Sequence, residues 1–276
     1  MKPFSRKTTF IIIVVVMIIT IVTIYGFNHH KLVNKVQPVN ECVSNCTNTA
    51  TLPTPPTPFI PNQQLDEKQR FLSTIAHRLS TTPQSDSFEY TLLRAYGAVF
   101  LNQEQEIKLP QKVILATEEE AQEFQTTLTM AQVDGTRDCY LQKTAADALN
   151  KARTLQSIPL KSGFSGDCTR DFSTNLHFWQ KYANNQVLER VQQGKETKIL
   201  GTVAPPGTSQ HLWGLAIDLR VSNQDQRKAL NQNGWFQTVE NDLPHWTYIG
   251  WTEENLPKFG LKNKAVNGIN YWVTPI

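Results

Sequence analysis

The pattern of apolar and polar positions divides the chain into three unlike stretches. From Phe10 to Phe27 the residues are almost unbroken apolar, including I-I-I-V-V-V-M-I-I, and Lys2, Arg6 and Lys7 precede them. At about 1.5 Å per residue such a run is long enough to cross a bilayer core. It ends in T-I-Y-G-F, without the small-residue cleavage site of a secretory signal peptide. The pattern therefore predicts an uncleaved transmembrane signal anchor over residues 10–27. The basic flank places residues 1–9 in the cytoplasm and everything after Phe27 outside. Residues 28–64 are polar and include T-N-T-A-T-L-P-T-P-P-T-P, a composition that cannot pack a core and favours an extended stalk. Apolar spacing of the folded kind begins near Leu65, so the domain is expected over 65–276.

Within that domain, Phe71, Leu72, Ile75 and Leu79 sit at helical spacing. A second helix is expected from Asp86 to Val99, with Asp86 and Glu89 at N-cap and N3 positions. The pair Thr117 and Glu120 starts a third, running to about Met130. Ala145, Leu149, Ala152 and Leu155 form one helical stripe, and I-P-L-K-S-G-F then reads as a short strand ending at a glycine turn. Phe172, Leu176, Trp179 and Tyr182 share the face of a helix extending to about Gln193. L-W-G-L-A-I-D-L-R-V has the apolar density of a buried strand. Ser222 and Asp225 open a short helix that Gly234 ends. W-F-Q-T-V-E and P-H-W-T-Y-I-G-W make an antiparallel pair. His77, alone among these helices, reads as a surface or packing residue.

Composition agrees with a packed domain: 39% hydrophobic and 18% charged over 276 residues. The net charge of +3 is mild and no dense Lys/Arg cluster lies outside the N-terminus, so nucleic-acid binding has no support. Four cysteines fit an oxidising compartment, and the obvious pairing is Cys42–Cys46 and Cys139–Cys168. Metal binding by Cys42 and Cys46 is the competing reading, although no further Cys or His stands at zinc-finger spacing.

Two segments carry chemistry: S-Q-H-L-W-G-L-A-I-D, from Ser209 to Asp218, and D-L-P-H-W, from Asp242 to Trp246. They supply two histidines and two carboxylates, the set a hydrolytic zinc centre needs. His211 and Asp218 are seven residues apart, an odd separation that would put them on opposite faces of one regular strand. His211 is therefore expected in the loop entering the strand, with Asp218 near the strand's buried centre or at a bulge. Gly214 and Ala216, being small, would leave room for metal and substrate. His245 begins the other strand and can reach the same point, while Asp242 lies in the turn before it. A His-x6-Asp pair alone is common without a metal. Trp213, Trp246 and Tyr248 read as core or cleft walls, and Asp225 and Glu240 as surface charges. Glu240 is an alternative base at a less suitable spacing from His245.

S-x-H-x-x-G-x-A-x-D followed by an acidic-x-x-H segment resembles the VanY-type zinc D-alanyl-D-alanine carboxypeptidases. Their relatives include the D,D-dipeptidases and the L-alanyl-D-glutamate endopeptidases of phage lysins. Ser209, His211, Gly214, Ala216 and Asp218 meet every defined position of the first motif. A-P-P-G, H-W-T-Y-I-G, L-Q-K-T-A-A-D-A-L and S-G-F resemble further family segments, so the likeness spans about Leu141 to Trp251. It implies an α+β domain of the hedgehog/D,D-peptidase type: a small antiparallel sheet with flanking helices around one Zn2+. His211, Asp218 and His245 would be the ligands. Asp242 would be the general base, an aspartate as in the lysin-type endopeptidases where the carboxypeptidases usually carry glutamate.

The family commonly reads S-G-[FY]-R-S, with an arginine serving the substrate's carboxylate or the transition state; this chain has Ser165 there. Arg170 would substitute if a Cys139–Cys168 bridge folds its loop inward. Gln180 stands roughly where the family has a further polar residue, and Ser209 would either contact substrate near the ligands or cap the loop. The implied activity is removal of a terminal D-alanine from peptidoglycan stem peptides, outside the cytoplasmic membrane. The alternatives are an endopeptidase cutting within the stem, and an inactive zinc domain that binds cell-wall peptides or a partner protein.

Overall fold

The computed structural model describes residues 58–276. The anchor expected over 10–27, most of the stalk, and the pair Cys42 and Cys46 lie outside the described residues. Among the described residues no helix is long and apolar enough to cross a membrane. Phe59, assigned to the stalk from sequence, is already tied down: its N–H donates to Gln103 Oε1 at 2.7 Å and its carbonyl accepts from Gln103 Nε2 at 2.8 Å.

The expected mixture of helices and a small antiparallel sheet is present. Three helices come first: α1 (Glu67–Ile75), α2 (Phe88–Tyr96) and α3 (Glu118–Thr126). Asp66 and Gln69 form a reciprocal capping box on α1. On α2 the cap is Ser87, whose side chain accepts from the Tyr90 N–H, one residue beyond the expected Asp86. The apolar run Gly97–Leu101 then tightens into a 3-10 turn, so α2 stops before Val99. Thr117 caps α3 as its spacing predicts, but the helix ends at Thr126 and Met130 opens a strand instead.

A hairpin of β1 (Met130–Gln132) and β2 (Tyr140–Gln142) leads into α4 (Lys143–Leu155). Ala145, Leu149 and Ala152 are fully buried along α4, whereas Leu155 at its end is exposed. The strand expected from I-P-L-K-S-G-F shrinks to one bridge, Leu160 to Leu219. The helix expected to run unbroken to Gln193 is two: α5 (Phe172–Tyr182) and α6 (Asn185–Gln192). The break follows from Asn184, whose extended backbone and side chain cap α6, and it leaves Tyr182 exposed.

The central sheet has the order β3-β5-β4, all antiparallel, from β3 (Ala216–Asp218), β4 (Trp235–Phe236) and β5 (His245–Tyr248). Between β3 and β4 lies α7 (Gln224–Asn231), capped by Asn223 and not by Ser222. A terminal hairpin of β6 (Lys262–Val266) and β7 (Ile269–Val273) completes the chain. Trp213, Trp235 and Trp246 are fully buried with Phe71, Phe100 and Leu141, so one core joins the N-terminal helices to the sheet. A buried sheet this small holds its register through such flanking packing.

The candidate metal centre

Strand register builds the site. Asp218 on β3 stands directly opposite His245 on β5, and such cross-strand partners share one face of a sheet. Ile217 and Trp246, the next pair, therefore turn into the core on the other face. His211 comes from a 3-10 turn, Gln210–Trp213, just before β3, as its odd spacing from Asp218 requires. The Ser209 side chain caps that turn by accepting from the His211 N–H, and Gly214 ends it at φ +64°. Gly214 does not make room for a metal. A Cβ there would press on the Gln142 backbone and the Met130 side chain, so its small size serves the turn and the β2 contact.

His211 Nε2 lies 3.5 Å and His245 Nδ1 3.8 Å from Asp218 Oδ1. One ligand atom from each of the three lies within 4.8 Å of the others, and all three residues are buried. The other ring nitrogens are committed. His211 Nδ1 is 2.7 Å from the Cys168 carbonyl, which can only accept, so this nitrogen carries the proton and Nε2 is bare. Gln210 donates its amide to the Tyr96 carbonyl at 2.6 Å, leaving Oε1 to accept from His245 Nε2 at 2.7 Å and from the Thr247 hydroxyl at 2.8 Å. His245 Nδ1 is therefore bare as well. Two unprotonated nitrogens and a carboxylate oxygen converge, and His211 Nε2 makes no hydrogen bond among the described residues. This donor set fits a zinc ion held by three protein ligands with an open fourth position.

The charges agree with that use. Burial, and then the Arg170 charge, lower the His211 pKa; burial and the neighbouring His211 bring His245 down to about 3. Both rings stay neutral, the form that binds metal. Burial alone would raise Asp218, but His211, Arg170 and His245 together hold it well below the usual carboxylate range. Asp242 moves the other way: burial and the nearby Asp218 carboxylate push it up to about 7, against the pull of Lys161 and Arg170. It sits in the turn where the His245 N–H donates to the Asp242 carbonyl at 3.2 Å, with Asn241 at φ +68°. Asp242 and the three triad residues line one cleft of about 390 Å3.

Of the other residues singled out from sequence, Ser209 lines this cleft and Gln180 does not, being exposed on α5. Ser165 is exposed and also outside it. Arg170 enters in its stead: its guanidinium donates to Asp218 Oδ2 at 2.7 Å and to the Gly166 carbonyl at 2.6 Å, over the Phe178 ring. The Cys139–Cys168 bridge is present. Glu240 faces Lys264 at 2.7 Å, away from the site. Sequence reasoning missed Gln210 and Lys161. Gln210 occupies a variable position of the motif, where nothing marks its amide as an anchor. Lys161 is half-exposed in the cleft with its ammonium 3.8 Å from Asp218 Oδ2, a place only the Leu160–Leu219 bridge reveals.

Residues 138–268 match the family model described as VanY, D-alanyl-D-alanine carboxypeptidase. That match covers a little under half of the chain. No curated protein matches the chain. Among solved structures, the chain is similar to the vancomycin resistance D,D-dipeptidase VanXYg in complex with a D-Ala-D-Ala phosphinate analogue. That likeness is 17% identical with a TM-score of 0.32, over 45% of this chain and 56% of the other. It is also similar to a mutant of the vancomycin resistance D,D-pentapeptidase VanY from the VanB-type cassette, in complex with Zn(II). There the identity is 18% and the TM-score 0.30, over 45% of this chain and 79% of the other. The chain thus spans little more than half the length of the first of these structures. The matched residues contain the whole triad, Asp242, Arg170 and both bridging cysteines.

Proposed function

We propose that this protein is a zinc-dependent peptidase that removes the terminal D-alanine from peptidoglycan stem peptides. The observation that carries the reading is the convergence of two proton-free imidazole nitrogens and Asp218 Oδ1 beside Asp242 in one cleft. When bound, zinc supplies a Lewis acid that polarises the scissile carbonyl and lowers the pKa of water. The protein's own residues do the rest. His211, Asp218 and His245 would hold the ion, with their unused atoms fixed by Cys168, Arg170 and Gln210. Asp242 accepts the proton of the attacking water and delivers it to the leaving amine. A carboxyl shifted towards neutrality is suited to both steps. Lys161, half-exposed in the cleft and 3.8 Å from Asp218 Oδ2, is placed to meet the substrate's carboxylate, whereas the Arg170 guanidinium is hydrogen-bonded to Asp218 at 2.7 Å.

The domain would act outside the cytoplasmic membrane, held by the apolar segment over 10–27; the Cys139–Cys168 bridge suits that oxidising side. The experiment is hydrolysis of a stem pentapeptide by zinc-loaded protein, with products weighed by mass spectrometry. Loss of one alanine is expected. Cleavage inside the stem would replace the carboxypeptidase reading by the endopeptidase one, which Ser165 and an aspartate base favour. Zinc retention without turnover of any stem peptide would leave a binding domain.

A further inference from the structure

The tripeptide Cys168–Thr169–Arg170 touches two of the three triad residues. The Cys168 carbonyl accepts from His211 Nδ1 at 2.7 Å, the Arg170 N–H donates to the His211 carbonyl at 3.2 Å, and the Arg170 guanidinium reaches Asp218. No regular element carries this tripeptide, which lies between the 3-10 turn Ser165–Asp167 and α5. Three ties hold it. Thr169 donates its N–H and its hydroxyl to the Tyr140 carbonyl, at 3.2 and 2.6 Å. The Gln125 amide donates to the Arg170 carbonyl at 2.8 Å. The third tie is covalent: Cys168 is bonded to Cys139, beside β2, and both residues are buried. The bridge thus ends on the residue whose carbonyl fixes the His211 tautomer.

We propose that the Cys139–Cys168 bridge is a positioning element of the metal centre, holding the Cys168 carbonyl against His211 Nδ1 so that Nε2 stays proton-free and aimed at Asp218 and His245. The proposal rests on reading the triad as a metal site. Without the bridge the carbonyl drifts, the ring proton is free to move to Nε2, and the centre drops from three donors to two. Losing such an outer partner costs about 10–100-fold in metal affinity. A bridge that only restricts the unfolded chain would raise stability and leave both tautomer and affinity alone.

Two variants of the full chain separate these roles: Cys139→Ser with Cys168→Ser, and Thr169→Val, which removes the hydroxyl bond to the Tyr140 carbonyl and leaves the bridge and the backbone N–H bond in place. Zinc affinity is measured by chelator competition, and the His211 ring is followed by 15N NMR in metal-free protein. The wild type is expected as the pure Nδ1–H form. The double variant should bind zinc about 10–100-fold more weakly and give a mixture of tautomers, and Thr169→Val should show the same changes in smaller measure. Unchanged affinity and tautomer in a folded double variant would overturn the proposal. If that variant does not fold, unchanged affinity and tautomer in folded wild type whose bridge has been reduced with a phosphine overturn it instead. A wild type that binds no zinc refutes the metal reading, and the tautomer measurement still decides the positioning claim on its own.

Discussion

Asp218 divides its two carboxylate oxygens between two tasks: Oδ1 faces the bare Nε2 of His211 at 3.5 Å, while Oδ2 is taken by Arg170 at 2.7 Å. Each proposed ligand of the triad is held in this way by a partner outside it. Arg170 fixes Asp218, the Cys168 carbonyl fixes His211, and Gln210 fixes His245. The proposed ligands and the proposed base therefore separate cleanly in mutational tests.

His211→Ala or His245→Ala should abolish tight zinc binding, and turnover with it. Asp242→Asn should keep the metal and lose about 10^2–10^4-fold in rate, the usual worth of a positioned general base. Metal analysis beside peptide hydrolysis checks both. Loss of zinc in Asp242→Asn would place that carboxylate among the ligands instead.

Gln210 joins the N-terminal helices to the candidate metal centre, since its amide donates to the Tyr96 carbonyl and its oxygen accepts from His245. Gln210→Met keeps the volume and removes both bonds. It should weaken zinc binding about 10–100-fold, read by chelator competition, with the fold intact by circular dichroism.

Asp242 gives the metal-free protein a distinct pH signature. Its folded pKa of about 7 exceeds the unfolded value of about 3.9. Its stabilising contribution is therefore complete below pH ~4 and is lost as pH rises through ~7. The buried imidazoles run oppositely: their folded values are depressed, so their contribution is present above pH ~6.5 and is lost as pH falls. Comparison with Asp242→Asn isolates the carboxylate. Between pH 4 and 8 the metal-free wild type should lose roughly 4 kcal/mol relative to that variant, measured by urea unfolding. A difference independent of pH would contradict the shift. Saturating zinc favours the ionised carboxylate, so the acid limb of the turnover profile should fall below the metal-free midpoint.

Gly207, in the A-P-P-G loop before the motif, sits at φ +80°, and a Cβ there would lie 2.0 Å from the Leu115 carbonyl oxygen. Its own N–H donates to Asn175 Oδ1 at 2.8 Å. Gly207→Ala must shift backbone and should destabilise the domain by about 1–3 kcal/mol or more, seen as a lower Tm.

The parts of this site legible in the sequence were those carried by local spacing. Ser209 to Asp218 announced two of the proposed ligands, and the odd interval placed His211 outside the strand, where the 3-10 turn puts it. Asp242 and His245 were legible as a turn followed by a strand. Register was not: β3 has three residues and β4 two, too few for alternation to fix a partner, so the Asp218–His245 pairing comes from tertiary packing. Helix caps slipped by one residue at Ser87 and Asn223, where adjacent polar residues compete for the role. The tautomer of His211 was illegible in principle, because its partner is a backbone carbonyl that any residue at position 168 would offer. Only the cysteine there hinted that the segment was fixed.

The most direct test of the central claim is hydrolysis of a peptide ending in D-Ala-D-Ala by protein stripped of metal and then titrated with zinc. No release of D-alanine is expected from the stripped protein. Activity should rise to saturation at one zinc per chain, and Asp242→Asn should take up the same zinc without turnover. D-Alanine release that is indifferent to metal removal, or zinc uptake unaffected by His211→Ala, would contradict it.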